Sequence, residues 1–386
     1  MPRNLVICCD GTANEFKKDR TNVIKLAFAA EKDPARQLVY YHPGVGTMAP
    51  PAFWSGLGQW FARLLGKALG YGLKSDIRDV YAFIMNHYEA GDRVYIFGFS
   101  RGAYTARAVT ALLWQYGLLA PGNEATIPYA INLLWKSNSV REGPERLAQF
   151  ELANDFRATL EARPCRPHFL GVWDTVSSVG WISNPLSLPF TRKLYGASII
   201  RHAVAIDERR AFFRTNLVEL DPRRNIREVW FPGVHCDVGG GYPESESELA
   251  KVPLEWMIGE AAAANMLFDA GRVKQVLGNP PGKFVAPDPA AKMHNSLTPV
   301  WWIAEFLPKT HWNQDRKRRE LHFNVFRRRR MGDTPIVHDG AWARGADYVK
   351  RLPAGSIRLS KVPSFRPKKR PPPVGSPPVP MEGSDA

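Results

Sequence analysis

Short apolar runs bounded by turn residues recur along the chain at Leu5–Cys9, Leu38–Tyr41, Val94–Phe99, Phe169–Trp173 and Val229–Phe231. A run of this length that is apolar throughout reads as a strand buried on both faces. Between them, TNVIKLAFAAEK, LKSDIRDVYAFIMNHY, RGAYTARAVTALLWQYG and VPLEWMIGEAAAAN have the length and apolar recurrence of helices. Strand alternating with helix predicts an α/β fold, a mainly parallel sheet with helices on both faces whose chemistry sits beyond the carboxyl ends of the strands.

With 386 residues, 45% of them hydrophobic, the chain has enough apolar side chains for a substantial core. The expected organisation is one catalytic domain over 1–362, with helical insertions near 54–70 and 137–164, followed by a tail over 363–386. In the first insertion, Trp54, Leu57, Trp60, Phe61 and Leu64 share one helical stripe opposite Arg63 and Lys67. That is the pattern of a core-packing helix and, second to that, of a lid or membrane-facing one. The second insertion reads as a cap or a pair of surface helices. The tail, PSFRPKKRPPPVGSPPVPMEGSDA, has too much proline and too few apolar residues to pack and is expected to be disordered.

Cys8, Cys9, Cys165 and Cys236 fit neither a disulfide framework nor paired zinc ligands, which favours a reducing compartment. The start, MPRNLVICCDGT, lacks the apolar core of an export signal, and no run approaches the ~20 residues of a membrane span. The expectation is a cytoplasmic protein, one resting on a membrane surface, or one secreted without a signal peptide. Residues 301–386 carry 18 Lys/Arg against 8 Asp/Glu, so they hold +10 of the +15 net charge. Such a surface suits an anionic membrane, and nucleic acid is not the expected partner. The plainer alternative is a solvated face.

Chemistry enters with VYIFGFSRGAYTARA. Here Ser100 lies between Gly98 and Gly102, a strand leads in and a helix leads out, which is the arrangement that lifts a serine hydroxyl above the end of a sheet. A phosphate-binding loop would need a lysine that is not there. A serine nucleophile requires a base, and a base requires an orienting carboxylate. His235 follows a strand-like run and precedes a glycine cluster in REVWFPGVHCDVGGGY, which makes it the expected base, with His294 in reserve. His202, in the helical pattern ASIIRHAVAID, reads as a packing or capping residue. Asp174 ends HFLGVWDTV at a strand end and lies between Ser100 and His235 in sequence, so it is the expected acid. Asp237 is too close in sequence to His235 to reach its Nδ1 easily. The oxyanion would be held by the Arg101 backbone amide and by that of Gly11 or Thr12 in CCDGT, although the latter turn could simply be stabilised by Asp10. YYHPGVGT reads as a second glycine-rich strand exit lining the same pocket. No metal or organic cofactor is called for.

The blocks VICCDGTANEF, VYIFGFSRGAYTARA, FLGVWDTVSSVG, AIDERRAFF and WFPGVHCDVGGGY together resemble the bacterial and fungal α/β-hydrolase family, long labelled a domain of unknown function, that includes type VI secretion lipase effectors with phospholipase A activity. HNSLTPVWWIAEFLP and VHDGAWARGADY are similar to that family's later blocks. The resemblance implies Ser100 as nucleophile, Asp174 as acid and His235 as base, with Gly11 at the glycine of the first motif. It implies a lipid ester substrate. A soluble carboxylesterase acting on small esters, and a non-catalytic protein that binds anionic surfaces on a hydrolase scaffold, are the alternatives. Oligomeric state is not legible.

Overall fold

Strands that are apolar throughout need cover on both faces, and the computed structural model shows how this chain provides it. The structure describes residues 2–11, 20–44, 68–137, 144–176, 191–210, 215–297 and 325–361, with a few shorter stretches besides. Among these, the main sheet contains β1 (Asn4–Cys9), β2 (Gln37–His42), β3 (Arg93–Phe99), β4 (Phe169–Trp173), β5 (Ile199–Ala205), β6 (Asn225–Phe231), β7 (Ile336–His338) and β8 (Ile357–Leu359). Their spatial order is β8-β7-β6-β5-β4-β3-β1-β2. Every pairing in it is parallel. The strand order reverses between β1 and β3, and that is where open sheets of this kind leave a crevice at their carboxyl edge.

Side chains alternate faces along each strand, and both faces are apolar. Leu5 and Ile7 of β1, Val94 and Ile96 of β3, and Leu170 and Val172 of β4 join one core with residues of α2 (Ala68–His87), α3 (Arg101–Tyr116) and α4 (Ile127–Lys136). Val6, Cys8, Tyr95, Phe97, Phe169 and Trp173 point the other way, into a core shared with α1 (Asn22–Ala29) and α7 (Glu248–Ala263). Each large side chain so buried contributes about 1.5–3 kcal/mol. The expected strands and helices thus form, and the four cysteines are free thiols.

Two expectations need correction. The segment holding His202 is not helical but the central strand β5. Its apolar run is broken by Arg201 and His202, both buried, and the break imitates helical spacing. Between 137 and 164, the described residues form one helix, α5 (Pro144–Thr159), rather than a pair. It lies against α3 through Trp114–Phe150 and Tyr116–Phe156 edge contacts. Nearly all of 54–70, and the tail from 366, lie outside the described residues, as does Thr12. Among those described, no helix is long and apolar enough to cross a membrane.

Candidate active site

The turn from β3 into α3 is set by its two glycines. A methyl group on Gly98 would overlap the Gly102 carbonyl, and one on Gly102 would overlap the carbonyls of Cys9 and Asp10 at the end of β1. Only glycine lets the three segments approach this closely. Between them, Ser100 is forced to φ 58° and ψ −118°, a region that costs a residue with a side chain on the order of 1–3 kcal/mol. A serine before a helix ordinarily caps it, yet Ser100 makes no side-chain capping bond. The hydroxyl is left for other work.

Asp174, at the end of neighbouring β4, is also at positive φ, 36°, and is wholly buried. Its Oδ2 lies 2.5 Å from His235 Nδ1, and its Oδ1 accepts from the Ala205 amide at 3.0 Å. Arg329 completes the surroundings, with its guanidinium donating to Oδ1 at 2.5 Å and to Oδ2 at 3.0 Å. Burial alone would raise the Asp174 carboxyl, but Arg329 and the imidazole outweigh it and hold it well below the usual carboxylate range.

His235 begins the short helix α6 (His235–Gly239). Its ring lies against Phe99 at 4.5 Å and Phe213 at 4.7 Å between centroids. Burial keeps its pKa below the ordinary imidazole value of 6.5, despite the opposing pull of Asp174. With Nδ1 engaged by the carboxylate, the neutral ring carries its lone pair on Nε2. The Ser100 hydroxyl forms no hydrogen bond to the imidazole in this structure. Its backbone amide does donate to the Trp173 carbonyl at 3.2 Å, which places it beside the strand end that bears Asp174.

The other expected residues separate clearly. His294 Nδ1 is 2.6 Å from Asp237 and its Nε2 is 3.0 Å from Glu246. Burial opposes charging the ring, but the carboxylate on each nitrogen outweighs it and raises its pKa, and with both nitrogens engaged the reserve candidate is occupied elsewhere. Arg101 is the first residue of α3, and its amide therefore lies at the positive end of that helix. Its side chain turns towards Asp76 on α2, 3.8 Å away. The Gly11 amide donates to its neighbour Asp10 at 2.7 Å. Asp10 also accepts from Thr21 and Tyr41, so this is a strand-end turn stabilised by its own carboxylate. Of the second glycine-rich exit, residues to Gly44 are described.

Sequence reasoning missed two residues here. One is Arg329. The other is Glu208, buried, whose carboxylate accepts from the His235 amide at 3.1 Å, from the amide and guanidinium of Arg210, and from Ser296. Burial opposes its ionisation, but Arg210 brings its pKa down to about 2. Glu208 lies in AIDERRAFF, a block that carries the resemblance without a catalytic residue of its own.

Two cavities flank the carboxyl ends of β5 and β6. One of about 230 Å³ is lined by Arg209, Val234, His294 and Ser296. One of about 440 Å³ is lined by Arg328, Arg329, Arg330 and Arg351 with Met331 and Leu352. They share Asp207 and Arg328. Among the described residues, no three His, Cys, Asp or Glu side chains converge as metal ligands would.

Residues 3–260 match the family described as T6SS, Phospholipase effector Tle1-like, catalytic domain. An uncharacterised Saccharomyces cerevisiae protein, YEL023C, is 32% identical over 219 residues, which are 55% of this chain and 32% of that one. An uncharacterised Pseudomonas aeruginosa protein of known crystal structure is 20% identical with a TM-score of 0.40, over 69% of this chain and 46% of that one. The Tle1 effector bound to the VgrG spike of the type VI secretion system is 19% identical with a TM-score of 0.36, over 64% and 52%. The chain thus spans about a third of the yeast relative and about half of each structural neighbour.

Proposed function

Because this chain belongs to the Tle1-like family of type VI secretion phospholipase effectors, which it matches in the catalytic domain, we propose that it is a serine hydrolase cleaving an acyl ester of a glycerophospholipid. Ser100 Oγ attacks the ester carbonyl while His235 Nε2 takes its proton, and Asp174 steadies the imidazolium that results. The Arg101 amide holds the oxyanion. The second donor is the amide of Gly11 or Thr12; that of Gly11 donates to Asp10 in this structure, and Thr12 lies outside the described residues. His235 returns the proton to the departing lysophospholipid alcohol, and a water molecule then releases the fatty acid from Ser100 by the same route in reverse. Tightening of the Ser100–His235 bond belongs to the substrate complex, as is common where it is open in the free enzyme.

The observation that carries this reading is the Asp174–His235 pair at 2.5 Å, buried beside a serine whose strained backbone serves no capping purpose. Ser100→Ala is expected to abolish both fluorophosphonate labelling and release of fatty acid from phospholipid, while the fold survives. Labelling retained in the Ser100→Ala protein would remove Ser100 as nucleophile. A rate that does not rise when the lipid aggregates into micelles would favour the small-ester enzyme instead.

A further inference from the structure

Behind the Asp174–His235 pair lies a second histidine and carboxylate, wholly inside the protein. His202 on β5 is fully buried and Glu228 on β6 nearly so. The backbone amide of Thr175, the residue after Asp174, donates to His202 Nε2 at 3.3 Å. An imidazole nitrogen that accepts carries no proton, so the proton of the neutral ring sits on Nδ1. From there it is donated to Glu228 Oε2, 2.9 Å away. Burial, and the Arg107 guanidinium whose Nη2 lies 3.2 Å from the same Nδ1, push the His202 pKa down against the pull of Glu228.

The same network also holds the following peptide. The Thr175 carbonyl accepts from the Asn216 amide at 2.9 Å, and the Asn216 carbonyl accepts at 2.7 Å from Arg107. Arg107 belongs to α3, about two turns beyond Ser100. Asp174 itself has a backbone at φ 36°, which does not persist unless its neighbours impose it.

We infer that His202 is a positioning residue of the proposed hydrolase: with Glu228 fixing its tautomer, it pins the Thr175 amide and so keeps Asp174 aimed at His235. This rests on the catalytic reading above. His202 touches neither Ser100 nor any cavity described here, so its effect passes through Asp174.

The test compares two substitutions of similar polarity. In His202→Gln the amide oxygen reaches the place of Nε2 and still accepts from Thr175. In His202→Asn the shorter side chain reaches only the place of Nδ1, leaving the Thr175 amide without its acceptor. At metal sites, loss of the hydrogen-bonded partner that orients a ligand costs about 10–100-fold, and a loss of that order is expected here. His202→Asn is therefore expected to have a kcat at least about tenfold below His202→Gln on a soluble ester, with KM little changed and fluorophosphonate labelling slowed in parallel. The acidic limb of its pH profile should also shift to lower pH, because an imidazolium that loses Asp174 is more easily deprotonated.

Proton NMR of the folded proteins gives a readout that needs no turnover. The far-downfield proton shared by Asp174 and His235 should be present in wild type and in His202→Gln, and lost or shifted upfield in His202→Asn. Equal kcat in two equally folded variants, with the proton and the limb unmoved, would overturn the inference. If wild type itself proves inactive, the catalytic reading fails, and the proton resonance still decides whether His202 positions Asp174.

Discussion

Both oxygens of the Asp174 carboxylate are occupied, Oδ1 by the Ala205 amide and Arg329, Oδ2 by His235 and Arg329. An acid held in this way stays ionised through any mildly acidic range, so the pH dependence of turnover falls to His235. As the proposed base, the imidazole must be neutral to accept a proton, and burial lowers its pKa from 6.5. Activity on a soluble ester should therefore rise with pH along a limb whose midpoint lies below 6.5 and then level off. Initial rates from mildly acidic to neutral pH check this, and a midpoint above 6.5 would contradict it. Arg329→Met leaves Asp174 buried without its counter-ion. Breaking such a pair costs about 3–5 kcal/mol, to be read from chemical denaturation, and turnover should fall with it. A loss below about 1 kcal/mol would mean that the clamp is idle. Ser100, Asp174 and His235 were legible because each stands where an apolar run stops. Arg329 was not, since its contact spans 155 residues of sequence and nothing local separates it from its neighbours in FRRRR.

The elements differ in legibility for a related reason. β1, β3 and β4 are buried along essentially their whole length and announce themselves as unbroken apolar runs. β5 is as deep in the sheet, but Arg201 is satisfied by Glu260 and His202 by Glu228. Buried polar residues with partners look like surface residues to a pattern of hydrophobicity. β7 and β8 are three residues each, too short for any periodicity. The β3–α3 turn can be tested as a unit. In Gly102→Ala the new methyl group meets backbone, which cannot rotate away, so α3 must lift off the end of β1. Overpacking of this kind costs about 1–3 kcal/mol and would move Ser100 and the Arg101 amide together. The expected result is a lower melting temperature and loss of fluorophosphonate labelling; unchanged labelling would show that the turn tolerates the shift.

For the molecule as a whole, the family match ends at residue 260, whereas two strands of the sheet and the partner of Asp174 come later in the chain. The matched region contains all three proposed catalytic residues, yet it is not expected to work alone. A chain ending at residue 260 should be poorly folded by circular dichroism and inert towards the probe, and full labelling of it would show that Arg329 and the late strands are dispensable.

The distance between Asp174 and Arg329 is also a distance in time. A ribosome adds about 5–20 residues per second, so the carboxylate waits on the order of 10 s for the guanidinium that settles its charge. Until residue 329 is made the carboxylate lacks that counter-ion, so on the proposed mechanism a synthesis that stalls before it yields no working site.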